Sequence, residues 1–236
     1  MLLLYAGVAA YIGKLYWEDV RNHVAGNPNP GALPGAVPCS GKALWIALTG
    51  ALVLLGLETG GEIILEIDSE QSRIAAAFLI AMLGAGIVEE VIFRGYLFVA
   101  HRGRIVLLTS ICVFSIIFAL LHPHLWHYES GEGAWWAFWQ ANWSLDFGAK
   151  AWFTTAFLFF NSLWFYACRF AIWNPQQSIL PCFAAHAFSN LGVFCIKWIQ
   201  GFVVFFVLIL TFANVPVFLQ CEPLLHFLMV GRIVPV

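Results

Sequence analysis

Charge is scarce in this chain: lysine, arginine, aspartate and glutamate together make up 10% of its 236 residues, and the net charge is −2. There is no basic footprint, so nucleic acid is set aside as a partner. CxxC pairs are missing, and the six cysteines are scattered, most of them within or beside apolar segments. They read as small apolar side chains and not as a disulfide framework. HExxH is absent, and no internal repeat of solenoid or propeller type is visible. The N-terminus is apolar from Leu2, with no basic n-region and no clear small-residue cleavage site, which reads as a retained first span.

What the chain has in abundance is apolar surface. Apolar residues make up 61% of it and the mean hydropathy is +0.84, the composition of an all-α, polytopic membrane protein. Apolar windows near 2–17, 43–57, 74–99, 105–121, 151–168, 178–196, 198–213 and 215–230 give a bundle of roughly eight transmembrane helices in one membrane domain, 1–236. Several windows fall short of the roughly 20 residues that span hydrocarbon, so these helices are expected to extend into their flanks. Between Glu18 and Lys42 the run Asn-Pro-Asn-Pro-Gly, with Pro34 and Pro38, predicts a loop. Glu58, Glu62, Glu66, Asp68 and Glu70 make an acidic connection, whereas His101-Arg102-Gly103-Arg104 is basic. The positive-inside rule puts the basic connection in the cytoplasm, with the 18–42 loop and Arg169 on the same side and the 122–150 loop opposite. Five of the eleven tryptophans (Trp126, Trp135, Trp136, Trp139, Trp143) fall in the 123–150 segment. Indole suits the headgroup layer, so this segment reads as an interfacial re-entrant or surface helix, with a substrate-gating lid as the alternative.

Against this background Gly86-Ile-Val-Glu89-Glu90-Val-Ile-Phe-Arg94 stands out, because it places two carboxylates and a guanidinium in an apolar span. Ionisable groups are costly there and face a cavity or the bundle interior, where they serve a function by default. Glu90 and Arg94 are spaced i,i+4 and can neutralise each other, which leaves Glu89 free to take a proton. The alternative is that the Glu90–Arg94 pair only pins helices. Gly84 and Gly86 permit close helix approach.

The next span ends in Phe118-Ala-Leu-Leu-His122-Pro123-His124-Leu-Trp-His127. Phe118 and His122 share a helical face, which puts a ring beside the imidazole. Pro123 perturbs or ends the helix there. His124 and His127 lie beyond it, toward the interface. A third span carries His186 and Asn190, again i,i+4, among Ala184, Ala185, Ala187 and Ser189, small residues that leave room for a substrate backbone. Such a polar pair can equally bond across helices.

The ordered set EExxxR (Glu89, Glu90, Arg94), FxxxH (Phe118, His122) and HxxxN (His186, Asn190) resembles the CAAX protease and bacteriocin-processing family of intramembrane proteases, which includes the prenyl-protein endopeptidase of the endoplasmic reticulum. The resemblance covers about residues 74–196, the motif-bearing core. It implies a bundle of about eight helices around a polar cavity open to one membrane face, and hydrolysis of a peptide bond near the membrane. It also implies Glu89 as general base with His122 helping to hold the water, His186 and Asn190 as oxyanion donors, and Glu90 with Arg94 bracing the site. No cofactor is expected. The substrate is a peptide or protein, membrane-anchored or prenylated, in the lipid bilayer. The Trp-rich stretch and the short N-terminal part depart from the prenyl-protein endopeptidases and point to other peptides and to a prokaryotic plasma membrane, with the endoplasmic reticulum membrane as the alternative.

Other chemistries stay open on the sequence alone. Glu89, His122 and His186 would make a His₂Glu zinc set with water in the fourth position. Cys182, four residues before His186, suggests a thiol mechanism, although a buried cysteine is usually packing. A di-iron oxidase runs short of ligands with seven histidines in the chain. A non-catalytic scaffold or a transporter also uses intramembrane charge.

Overall fold

The computed structural model describes residues 2–129 and 142–204. Six α-helices dominate these residues: α1 (Leu2–Val24), α2 (Gly41–Ile64), α3 (Phe78–Glu89), α4 (Arg104–Leu121), α5 (Ala149–Phe170) and α6 (Leu180–Ile199). A π-helical segment, Glu90–Tyr96, continues α3, and the short strands are β1 (Ile74–Ala75), β2 (Trp126–Glu129), β3 (Asn142–Leu145) and β4 (Val203–Val204). Among the described residues α2, α4 and α6 are long and apolar enough to cross a membrane. The window expected at 215–230 and most of that at 198–213 lie outside the described residues.

Three expectations need correction. The first helix does not stop at residue 17 but runs to Val24, because Glu18, Asp19 and Arg21 tolerate helix and the first breaker is Gly26. The loop is shorter for it, and Asp19 ties it down by accepting from Asn29 Nδ2 at 3.1 Å and from the Leu33 amide at 2.8 Å. The window starting at 198 does not begin as a helix: Trp198 and Ile199 end α6, and β4 pairs in parallel with β1, Ile74 opposite Val203. The described ends of the Trp-rich segment are not helical either. They form an antiparallel ladder, β2 with β3, in which Trp126 and Trp143 meet at 5.5 Å, and aromatic cross-strand contacts favour such a ribbon. Trp135, Trp136 and Trp139 lie outside the described residues.

The helix ends group as alternation of spans requires. At one end Ile179 donates its amide to Gly35 O (3.1 Å), Ser178 Oγ to Val37 O (2.6 Å) and Arg169 Nη1 to Gly95 O (3.3 Å), which gathers the loops after α1, the π segment and α5. At the other end Glu62 on α2 receives Lys150 from the start of α5 and Gln71, and Lys197 from the end of α6 reaches Gln71 and Ser72. Between the ends lies a tight apolar core. Ala43, Ala47 and Ala51 recur every fourth residue on α2, and α6 meets this smooth stripe with Cys182 and Ala185.

Candidate active site

The site grows from the change of helix type at Glu90. In an α-helix residues four apart are offset by about 40° around the axis. The i→i+5 turns of the π segment, visible in the Leu97 amide donating to Ile92 O, reduce that offset. Glu90 Oε1 consequently lies 3.1 Å from Arg94 Nη1, and neither side chain is exposed to solvent.

Arg94 is held on its remaining sides. Its Nη2 donates to Ser162 Oγ (2.8 Å) and to Ser162 O (3.2 Å), and Ser162 Oγ donates to Ser115 Oγ at 3.1 Å. The guanidinium carbon also lies 4.7, 5.0 and 4.9 Å from the ring centres of Phe118, Phe165 and Tyr166. Ring faces are attractive to a desolvated cation, and a buried charge without such partners would be expensive. Tyr166 in turn places its hydroxyl on Phe93 O (2.9 Å) and Leu97 O (2.7 Å), which steadies the end of the π segment.

His186 comes from α6 and lies between the two glutamates. Its Nδ1 is 2.7 Å from Glu90 Oε1 and its Nε2 is 3.8 Å from Glu89 Oε2. Phe165 stacks on the imidazole with centroids 4.8 Å apart and planes 17° apart. At Gly86 a Cβ would reach only the near edge of ordinary contact with His186 Cγ, at 3.4 Å, whereas at Gly84 a Cβ would crowd Ala9 of α1 at 3.2 Å. Glu89 is buried, and its Oε2 has no hydrogen-bond partner among the described residues. The ion pair expected from the spacing is present: Glu90 lies against Arg94, and Glu89 does not.

His122 caps α4 in an extended conformation before Pro123, which ends the helix as expected. Its Nδ1 bonds Phe118 O at 2.8 Å and its ring lies 4.8 Å from that of Phe118. Phe118 is also in edge contact with His186 at 6.3 Å, so one phenyl ring touches both histidines. Asn190 donates Nδ2 to Met82 O at 2.7 Å, so its amide bonds across to α3 with one N–H and retains a second.

Some sequence-level candidates fall elsewhere. Ala185 and Ser189 are buried, and Ala185 belongs to the α2–α6 seam, so it serves helix packing and does not make room for a substrate backbone. The Cys182 thiol is fully buried and donates to Phe165 O at 3.1 Å, away from a nucleophile's task. His127 pairs with Asp146 at 3.7 Å on the exposed ribbon, and burial pushes His124 down to about 4, so it is neutral above that pH. Among the described residues no three His, Cys, Asp or Glu side chains are grouped so that they could hold a metal ion. Sequence reading missed Ser115, Ser162, Phe165 and Tyr166. The two serines had a signal, a lone hydroxyl in an apolar helix that needs a partner; the two aromatics had none in a stretch crowded with them.

The arrangement offers a buried carboxylate with a spare oxygen, an imidazole fixed beside it and an amide N–H nearby on the same helix. That is a set for moving a proton and stabilising an oxyanion. The family model for type II CAAX prenyl endopeptidase Rce1-like proteins matches residues 71–192, just over half of the chain, a stretch that contains every residue of the cluster. No curated protein and no solved structure matches the chain.

Proposed function

Because the chain belongs to the type II CAAX prenyl endopeptidase Rce1-like family, we propose that it is an intramembrane endopeptidase that hydrolyses a peptide bond directly with water, without a metal. The observation that carries this reading is the asymmetry of the two glutamates: Glu90 Oε1 is taken up by Arg94 and His186 and its side chain is fully buried, whereas Glu89 meets His186 Nε2 only at 3.8 Å and keeps a tenth of its side chain exposed. Glu89 accepts the proton of the attacking water. His122 has its Nδ1–H committed to Phe118 O, so its Nε2 accepts a hydrogen from that water and orients it. His186 and the second N–H of Asn190 donate to the oxyanion of the tetrahedral intermediate. Arg94 keeps Glu90 in place. The substrate is a prenylated or otherwise membrane-anchored peptide, and the setting is a prokaryotic plasma membrane crossed by about eight helices.

The test is cleavage of a panel of membrane-anchored peptides, with and without a prenyl group, by protein reconstituted in lipid and followed by mass spectrometry. Cleavage that survives chelation and disappears in Glu89→Gln supports the reading. Undiminished turnover in Glu89→Gln, or activity restored only by added zinc, sinks it. Partner binding without cleavage of any peptide would favour a scaffold.

A further inference from the structure

We infer that Glu90 is a positioning residue for His186: it fixes one proton on Nδ1, so that Nε2 donates to an oxyanion only by holding a second proton beside the Glu89 carboxylate. This deepens the peptidase reading and rests on it for the catalytic step, but not for the placement of the protons.

Glu90 Oε1 lies 3.1 Å from Arg94 Nη1 and 2.7 Å from His186 Nδ1. A guanidinium is always charged and keeps the carboxylate paired with it ionised, so Glu90 is the acceptor toward His186 and Nδ1 carries a hydrogen. An imidazole with that one hydrogen presents a bare lone pair at Nε2. Nε2 faces Glu89 Oε2 at 3.8 Å, and that oxygen has no hydrogen-bond partner among the described residues. At that distance the two groups do not hydrogen-bond, but two bare acceptors facing each other in an apolar interior repel, and a proton on Nε2 turns the contact into an ion pair.

The charges agree. Glu89, Glu90 and Arg94 as ions sum to −1 at a place where neither Glu90 nor Arg94 is exposed, and one added proton on the Glu89–His186 pair makes the cluster neutral. Arg169, the neighbouring buried cation on α5, is engaged with Gly95 O at 3.3 Å and with the Phe98 and Phe170 rings instead of with the glutamates. From α5 and α6 come Tyr166, whose hydroxyl is bonded to Phe93 O and Leu97 O, Cys168, and Cys182, bonded to Phe165 O. From α4 comes His122, behind the Phe118 ring and bonded to Phe118 O.

In the step that follows, the pair rests as Glu89 carboxylate and doubly protonated His186. Water oxygen bonds to the scissile carbonyl carbon as its proton moves to Glu89. The carbonyl electron pair moves onto oxygen, which accepts from Nε2–H and Asn190. Collapse re-forms the carbonyl and breaks the C–N bond, and the proton on Glu89 goes to the leaving nitrogen. His186 ends with both hydrogens it began with, and one water is consumed per bond.

The experiment is nitrogen NMR of protein labelled with ¹⁵N-histidine in lipid, with His186 assigned by its loss in His186→Gln. It is paired with kinetics of Glu90→Gln. The expected spectrum of the unsubstituted protein shows His186 Nδ1 protonated. Glu90→Gln should redistribute the proton between the two nitrogens and lower kcat by about 100-fold or more with KM little changed, as for other carboxylates that orient a histidine. A hydrogen-free Nδ1 in the unsubstituted protein overturns the inference, and so does a Glu90→Gln protein with unaltered His186 signals and kcat. If Glu90→Gln does not fold, the unsubstituted spectrum still decides. If no peptide is cleaved at all, the peptidase reading fails while the spectrum still judges the role of Glu90.

Discussion

Two buried polar clusters tie the helices of this protein together, and they are built differently. At one end Glu62 has both carboxylate oxygens occupied, one by Lys150 and one by Gln71, and Lys197 reaches Gln71 Oε1 and Ser72 O at 2.9 Å each. Deep in the bundle the Glu89–Glu90–Arg94–His186 cluster leaves Glu89 Oε2, Glu90 Oε2 and Arg94 Nε and Nη1 without hydrogen-bond partners among the described residues. Lys150 and Ser162, one from each cluster, are twelve residues apart on α5, about 18 Å along the helix. A saturated network holds helices in register, whereas a surplus acceptor in an apolar interior is a cost that only chemistry repays. The second kind of cluster is where the proposed function would sit.

Substitutions can break that comparison, and the largest effect should come from the surplus acceptor. Glu89→Gln is expected to cost at least about 1,000-fold in peptide cleavage while leaving the thermal midpoint nearly unchanged, a combination that rate assays and melting in the same lipid would read together. Next is Arg94→Met, which strands a buried carboxylate. It should destabilise the fold by about 3–5 kcal/mol, measured by denaturant or thermal unfolding, and a mild loss would mean that Glu90 takes up a proton at little cost. Asn190→Ala should lower kcat by about 100-fold through the lost oxyanion donor, and a pure stability defect without a kcat effect would leave only its bond to Met82 O as its role. Lys150→Met, in the saturated cluster, should cost about 1–3 kcal/mol of stability and leave turnover per folded molecule unchanged. A large activity loss there would erase the distinction between the clusters. The smallest effect is expected from Asp146→Asn on the exposed ribbon, whose pair with His127 should contribute under about 1 kcal/mol to unfolding.

Much of the site is written in local spacing. Glu90 with Arg94, and Phe118 with His122, are neighbours because helical geometry makes them so, and Pro123 ends its helix for a reason confined to one residue. The alternation of loops between the two ends was equally legible, because each apolar run reverses the chain. Pairings set by tertiary approach were not. His186 meets Glu90 across 96 residues and Asn190 meets Met82 across 108, and nothing near either histidine or asparagine says which oxygen it will find. The β2–β3 ribbon was hidden for another reason. Tryptophan suits both the interfacial helix and the strand, so composition alone could not separate them.

The π segment has a consequence for how such a site can arise. A helix that closes i→i+5 has taken in residues beyond what the α ladder needs, so the chain from Glu90 onward is turned like a screw thread advanced by part of a revolution. Removing one residue between Glu90 and Arg94 would let the α ladder run through with the two at i,i+3, about 60° apart around the axis, so they would remain neighbours. The charge pair at the heart of this protein is therefore one codon away from an ordinary α-helical ion pair, and a single-residue insertion is enough to travel the distance in the other direction.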